Sequence, residues 1–437
     1  MLVEVSKELL KSYPLCDSCL GRQFAMLIHG TTNEARGRAV KLILAAEGHR
    51  EVLEGRKKDG VALLRILAVN GMLGEAKDTI ENLGLEVRGN GKKCYLCNDT
   101  IAGVDKVSAS VMEALKDYSF RSFLIGVKVP SGVEEREDEV RSLARAKFGE
   151  SIKGEFSRRI GKIVGETLGK PVEFKTPDIL VVVNPFTAEL EVNVNPLYVF
   201  GRYLKMKRGI PQTAKPCRSC RGTGCQECGW TGKQLRESVE DFIGQPIMEA
   251  TKGEQVRLHA AVRDGVDTLV LGNGRPFILE VKRPKERLVD LKALEKEVNV
   301  RNVGKIAVKD LRFSTKDEVK KVKRGDKVNE AYRALIEIEA DVTLEELDAL
   351  RKALTVREVR QLTVKGLGEV KNRLVYGVEI QAQSSRLIEL RVSCQGGLYM
   401  RGFITGEGSR VTPNIREILN KKVECLELDV HVQTEEH

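Results

Sequence analysis

The chain has 437 residues, 41% hydrophobic and 31% charged with only 5% aromatic, which excludes a disordered or fibrous protein and predicts two or three domains, each with its own core. Lys and Arg outnumber Asp and Glu by 73 to 63, a formal charge of +10, and this balance favours a polyanionic partner, nucleic acid before membrane. The opening MLVEVSKELLKSYPLC has no basic stretch ahead of a long apolar run, and nowhere do roughly 18 uncharged apolar residues follow one another, so a cytoplasmic protein is expected.

The first stretch predicts helices around Leu9-Leu10, around Phe24 to Leu27 and from Glu34 to Ala46, with Gly30 and Gly48 as stops. From about Tyr118 the pattern changes to a strand (SFLIGVKVP), helices over Glu134 to Arg145 and Phe156 to Leu168, and strands over Asp178 to Val183 and Glu189 to Val194. This is an α+β unit of ordinary domain size. The segment GRYLKMKRGIPQTAKPCRSCRGTGCQECGWTGK is basic, Gly-rich and without hydrophobic period, an ordered connector only if its cysteines pin it. Beyond Glu237 strands are expected at Arg257 to Ala261, Asp267 to Leu271 and Phe277 to Val281, the last two joined as a hairpin by Gly272-Asn273-Gly274. A helix (ERLVDLKALEKEVN), strands (KIAVKDLRFS, YRALIEIEA), a helix (LEELDALRKAL) and strands (RLIELRVSCQ, LYMRGFIT, CLELDVHVQT) complete a mixed α/β domain. No internal repeat or low-complexity tract interrupts it.

Eight of the ten cysteines form four Cys-x-x-Cys pairs, which in a large lysine-rich chain read as metal ligands before disulfides. Cys217, Cys220, Cys225 and Cys228 are spaced C-x2-C-x4-C-x2-C, the two-knuckle arrangement of tetrahedral zinc. A redox dithiol is the alternative, but the strand-to-helix setting of such motifs is missing. Cys16, Cys19, Cys94 and Cys97 supply two more knuckles from distant segments, either one joint zinc site or two unrelated pairs of buried thiols. With four thiolates each, both zincs would be structural. Cys394 and Cys425 are left over and expected to be buried.

LCDSCLGRQFA with CYLC, then NPLYVFGRYLKMKRGIPQT, ESVEDFIG, LGNGRPFILEV and GGLYMRGFITGEGSRVTPNI resemble, in this order and over nearly the whole chain, the archaeal and eukaryotic pseudouridine synthase family that acts on T-loop uridines 54 and 55 of tRNA. The resemblance implies an α+β multidomain protein: a zinc-bearing accessory region with a THUMP-like unit, then a mixed α/β catalytic domain. Boundaries are expected at 1–117 for the helical zinc-bearing segment, 118–200 for the THUMP-like unit, 201–236 for the zinc-knuckle connector and 237–437 for catalysis. It further implies tRNA as partner, an aspartate nucleophile and no catalytic cofactor. Tyr332 would stack on the base and serve the late proton transfer, while Tyr399 and Arg401 would contact the nucleotide, Arg401 pairing with the attacking carboxylate. Without the resemblance, these tyrosines read as packing residues in strands and Arg401 as a surface cation.

The chain departs from the family at the nucleophile. The family's Gly-Arg-Glu-Asp-x-Asp-x-Arg falls on Val262-Arg263-Asp264-Gly265-Val266-Asp267-Thr268-Leu269, which places Gly265 at the nucleophile's position, Asp264 one residue early and Asp267 at the second aspartate. A one-residue slide, with Gly265 taking up unusual backbone angles, would aim Asp264 into the site, although neighbouring strand side chains face opposite ways. The family's Arg-rich run is also absent from QLTVKGLGEVKNRLVYGV, while Lys282, Arg283, Lys285, Arg287 and the lysines from 316 to 327 remain. Two other readings stay open: a homologue without turnover that binds or chaperones tRNA, and a zinc-ribbon nucleic-acid adaptor.

Overall fold

The structure, a computed structural model, describes residues 2–87, 89, 91–144, 148–235, 237–261, 264–324, 329–355, 358–362, 370–406 and 410–433. The expectations placed on Val262, Arg263 and segment 363–369 lie outside them. The chain divides into compact units Met1–Asn195 and Pro196–His437.

The first unit opens with helices Leu2–Ser12, Asn33–Leu53, Lys57–Val69 and Gly74–Asn82. The long helix starts where the Thr32 hydroxyl accepts the Ala35 amide, an N-cap that satisfies one of the orphan donors of the first turn. It does not stop at Gly48. That glycine lies inside the helix and faces Gly60, where a side chain on either residue would crowd the other's backbone. Three strands follow, β1 Phe123–Val127, β2 Ile179–Asn184 and β3 Glu189–Val194, with β2 central, parallel to β1 and antiparallel to β3. Helices Val104–Leu115, Ser131–Ala144 and Ile152–Leu168 accompany them, and the last buries Phe156, Ile160 and Val164 at helical spacing.

The second unit is built on one ten-stranded sheet of β4 Leu197–Lys205, β5 Gln255–Ala260, β6 Thr268–Lys282, β7 Ile306–Ser314, β8 Asn329–Ile338, β9 Glu358–Leu362, β10 Val370–Ala382, β11 Leu387–Gln395, β12 Val411–Thr412 and β13 Val423–Gln433. The order is β12-β9-β10-β11-β8-β13-β6-β4-β7, with β5 also on β6. Val199, Phe277, Leu279, Val281, Ile336, Leu390 and Val430 form the heart of its core. β4 comes from the stretch expected to lack period and to close the accessory region; in fact its residues alternate buried and half-buried, and it pairs with both β6 and β7.

Two expected elements differ. Gly272-Asn273-Gly274 is no hairpin turn but a kink within the single strand β6. Before the kink β6 runs parallel to β13 and after it antiparallel to β5, while β4 pairs antiparallel with it on both sides through a register shift; the glycines, with φ of +69° and +73°, make the change from β13 to β5. LYMRGFIT, expected as a strand, is instead the helix Met400–Thr405, because Met400, Phe403 and Ile404 are buried at helical rather than alternating spacing.

Candidate active site and cysteine clusters

The expected catalytic segment meets the sheet at the start of β6. Lys205, at the end of β4, is wholly buried and donates from Nζ to the carbonyls of Ile210 at 2.9 Å, Gly265 at 2.7 Å and Val266 at 3.3 Å. Burial lowers its ammonium to about 8, against the opposing pull of Asp264 and Asp267. Arg208 donates to the Asp267 carbonyl at 2.5 Å and the Leu428 carbonyl at 3.2 Å, and pairs with Asp429 at 2.6 Å. The segment is thus held by its backbone.

The Asp264 carboxylate is only 2% exposed. Arg275 Nε stands 2.9 Å from Oδ1, and the Tyr203 hydroxyl, itself receiving the Gln212 amide at 2.8 Å, donates to Oδ2. The same guanidinium reaches Glu330 Oε1 at 2.7 Å, and the Tyr332 hydroxyl donates to Glu330 Oε2 at 2.8 Å. One cation therefore joins two buried carboxylates, each capped by a buried tyrosine. Burial, reinforced by Asp264 and Glu330 respectively, pushes the Tyr203 and Tyr332 phenols well above the ordinary tyrosine range. For Arg275 burial alone would weaken the hold on its proton, but the two carboxylates more than reverse it.

A cavity of about 220 Å³ opens over this cluster, with Asp264, Gly265, Arg275, Tyr332, Tyr399 and Arg401 in its walls. Tyr399, 40% exposed, starts the helix that carries Arg401, and its amide is fixed by Gln361 Oε1 at 2.9 Å. The expected pairing of Arg401 with the attacking carboxylate is not what forms: Asp264 turns to Arg275, and among the described residues no carboxylate pairs with the Arg401 guanidinium. Nor does Gly265 take up unusual angles, since its φ lies outside the left-handed region. A Cβ built on it would stand 3.6 Å from Arg401 Nε and 3.0 Å from the Thr268 hydroxyl, which is buried and has no hydrogen-bond partner among the described residues. Asp267 is exposed and does not line the cavity.

Sequence reasoning thus brought Asp264, Tyr332, Tyr399 and Arg401 to one cavity and missed Tyr203, Lys205, Arg208, Arg275 and Glu330. The signal for two of them was present. Arg275 and Glu330 fall in the buried alternation of their strands, Arg275 in step with Phe277, Leu279 and Val281 and Glu330 in step with Tyr332, Ala334 and Ile336, and a buried charge needs a partner.

The eight paired cysteines gather as two groups, Cys16, Cys19, Cys94 and Cys97, and Cys217, Cys220, Cys225 and Cys228, each with all sulfurs within 4.8 Å of one another. Separations of 3.7 Å for Cys16–Cys97, 3.9 Å for Cys217–Cys225 and 3.8 Å for Cys220–Cys228 are far too long for disulfides. They match the ~3.8 Å edge of a tetrahedron whose sulfurs sit about 2.3 Å from a central ion, so both donor sets fit zinc. Backbone amides of Gly224 and Cys225 point at sulfurs from 3.2 Å, as thiolate ligands require. Cys394 and Cys425 are buried and belong to neither group. Among the described residues no helix is long and apolar enough to cross a membrane.

The chain matches two family models, "Pus10, C-terminal" over residues 198–433 and "Pus10 THUMP domain, archaeal" over residues 107–184. It is 38% identical to the tRNA pseudouridine synthase Pus10 of Methanocaldococcus jannaschii, over 98% of this chain and 93% of the relative. The Pus10 proteins of Methanothrix thermoacetophila, 34% identical over 98% of this chain and 94% of theirs, and Pyrococcus furiosus, 32% identical over 98% and 97%, are similar along the same length.

Proposed function

The chain belongs to the Pus10 family of tRNA pseudouridine synthases, and from that premise we propose that it isomerises T-loop uridines of tRNA, at position 54, 55 or both. The observation that carries the reading is that Asp264 is, among the described residues, the one acidic side chain in the wall of the cavity shared by Tyr332, Tyr399 and Arg401. A uridine swung out of its stack enters there, with its base against the tyrosines and its charged backbone toward Arg401. Asp264, paired with Arg275, attacks the nucleotide; the freed base turns and rejoins the sugar through C5, and Tyr332 serves the final proton loss. Asp267 keeps the loop in shape through its carbonyl on Arg208. The two four-cysteine groups hold structural zinc, and the accessory unit and basic surface grip tRNA phosphates. No membrane is involved, and the cytoplasm, where thiols stay reduced, suits eight free cysteine ligands.

A second reading, a tRNA-binding protein without turnover, is favoured by one fact: an acid at 265, not at 264, would face Arg401, while both Asp264 oxygens already carry partners. A pseudouridine assay on a T-loop transcript separates the two. Under the first reading Asp264→Ala abolishes product and leaves tRNA affinity within about twofold. Parent protein that binds tRNA without product, and gains activity on Gly265→Asp, establishes the second.

A further inference from the structure

Glu330 is a buried acid that the scheme above leaves idle. Its carboxylate is 2% exposed, receives Arg275 Nη1 at 2.7 Å and the Tyr332 hydroxyl at 2.8 Å, and has the Gly397 amide at 3.4 Å. Glu330 and Tyr332 stand two residues apart on β8, so their side chains share one face of the strand. Tyr332 lines the cavity and Glu330 does not, which puts the acid directly behind the tyrosine as seen by a bound base.

Two features argue against a merely structural acid. A glutamine of the same shape could bond both Arg275 and Tyr332 without bringing a charge out of water, which is costly. What only a carboxylate adds is a place for a proton. Further, Asp264 and Glu330 share a single guanidinium, so the ionised cluster carries one negative charge in excess, and a proton arriving on Glu330 would leave a balanced Asp264–Arg275 pair.

We infer that Glu330 accepts the Tyr332 hydroxyl proton when Tyr332 removes hydrogen from C5 of the rejoined base, and so acts through Tyr332 as a positioning and proton-accepting residue. This rests on the synthase reading. The C5–H bond breaks and its electron pair returns to the ring; the proton forms a new O–H on Tyr332, whose own proton passes to Glu330 Oε2. Over the whole reaction N1–C1′ is exchanged for C5–C1′ and hydrogen at C5 for hydrogen at N1. The proton on Glu330 leaves to solvent before the next turnover.

The test uses full-length protein and T-loop transcripts carrying hydrogen or deuterium at uridine C5. Glu330→Gln should lower kcat by about 10²-fold with KM for tRNA within about twofold, and should expose an isotope effect of roughly 2 or more where the parent shows nearly none. Tyr332→Phe should show the same isotope effect, and the double variant should be no slower than Tyr332→Phe alone, because the pair works as a unit. Glu330→Asp, which keeps the charge on Arg275 but draws it back from Tyr332, should show the isotope effect with a smaller loss of rate, and it stands in should Glu330→Gln not fold. Variants that keep the parent rate, or lose rate with no isotope effect as damaged packing would produce, overturn the relay and leave the synthase reading intact. A parent without turnover on either transcript overturns both.

Discussion

Lys205 carries a charge into the core and donates there to three backbone oxygens, one of them the carbonyl of Gly265. Its ammonium titrates at about 8, well below the ordinary lysine value of 10.5, because burial disfavours the charge. Between those two values the unfolded chain keeps the proton that the folded protein has released, so the unfolded state binds more protons and stability rises with pH through that window. Below about pH 8 both states hold it and the burial cost is constant. Denaturant midpoints at pH 7 and pH 10 should therefore show the parent gaining stability relative to Lys205→Met; equal changes in the two proteins would mean that Lys205 titrates normally. At this scale the sequence was readable where chemistry is local. Cys217 to Cys228 mark a candidate metal site by spacing alone, whereas the partner of Asp264 depends on the register between β6 and its neighbours, which no short motif encodes. Arg275 and Glu330 stand fifty-five residues apart in the chain, and only the sheet brings them together.

Elements were legible where one period ran uninterrupted. The helix Ile152–Leu168 and the strands β8 and β11 lie close to where hydrophobic spacing puts them, because each keeps a single face buried along its length. β6 misled because a Gly-Asn-Gly sequence signals a turn, yet here the chain continues in the same direction, keeping β4 on one side and exchanging β13 for β5 on the other. The kink is intolerant of side chains: a Cβ on Gly272 would lie 2.8 Å from the Val432 carbonyl, at a φ of +69°. Gly272→Ala should cost about 1–3 kcal/mol in unfolding free energy, read from urea midpoints. A variant as stable as the parent would show that β6 can change partners without the left-handed residue. The helix Met400–Thr405 escaped notice because six residues span too little of a helical period to be told from alternation.

For the molecule as a whole, the two cysteine groups occupy unequal positions. Cys19, Cys94 and Cys97 belong to the hydrophobic core of the first unit and join its opening helices to the segment around residue 95, whereas the second group sits in a connector outside the main core of its unit. Metal analysis should find close to two zincs per chain, and a chelator should unfold the first unit while the large sheet keeps its secondary structure, since metal binding and folding of such a site are one equilibrium. Iron in place of zinc, or a first unit that survives chelation, would contradict this. The sheet has its own dependence. β6, which carries Arg275, and β8, which carries Glu330 and Tyr332, never pair; β13 lies between them, the last strand of the sheet in chain order. While a ribosome is still making residues 423–433, the nascent second unit is two half-sheets with raw edges, a form prone to stick to other chains. Assembly of the pocket therefore waits until β13 has been made, and a product terminated before residue 423 would carry Asp264, Arg275, Glu330, Tyr332, Tyr399 and Arg401 without the strand that brings β6 and β8 side by side.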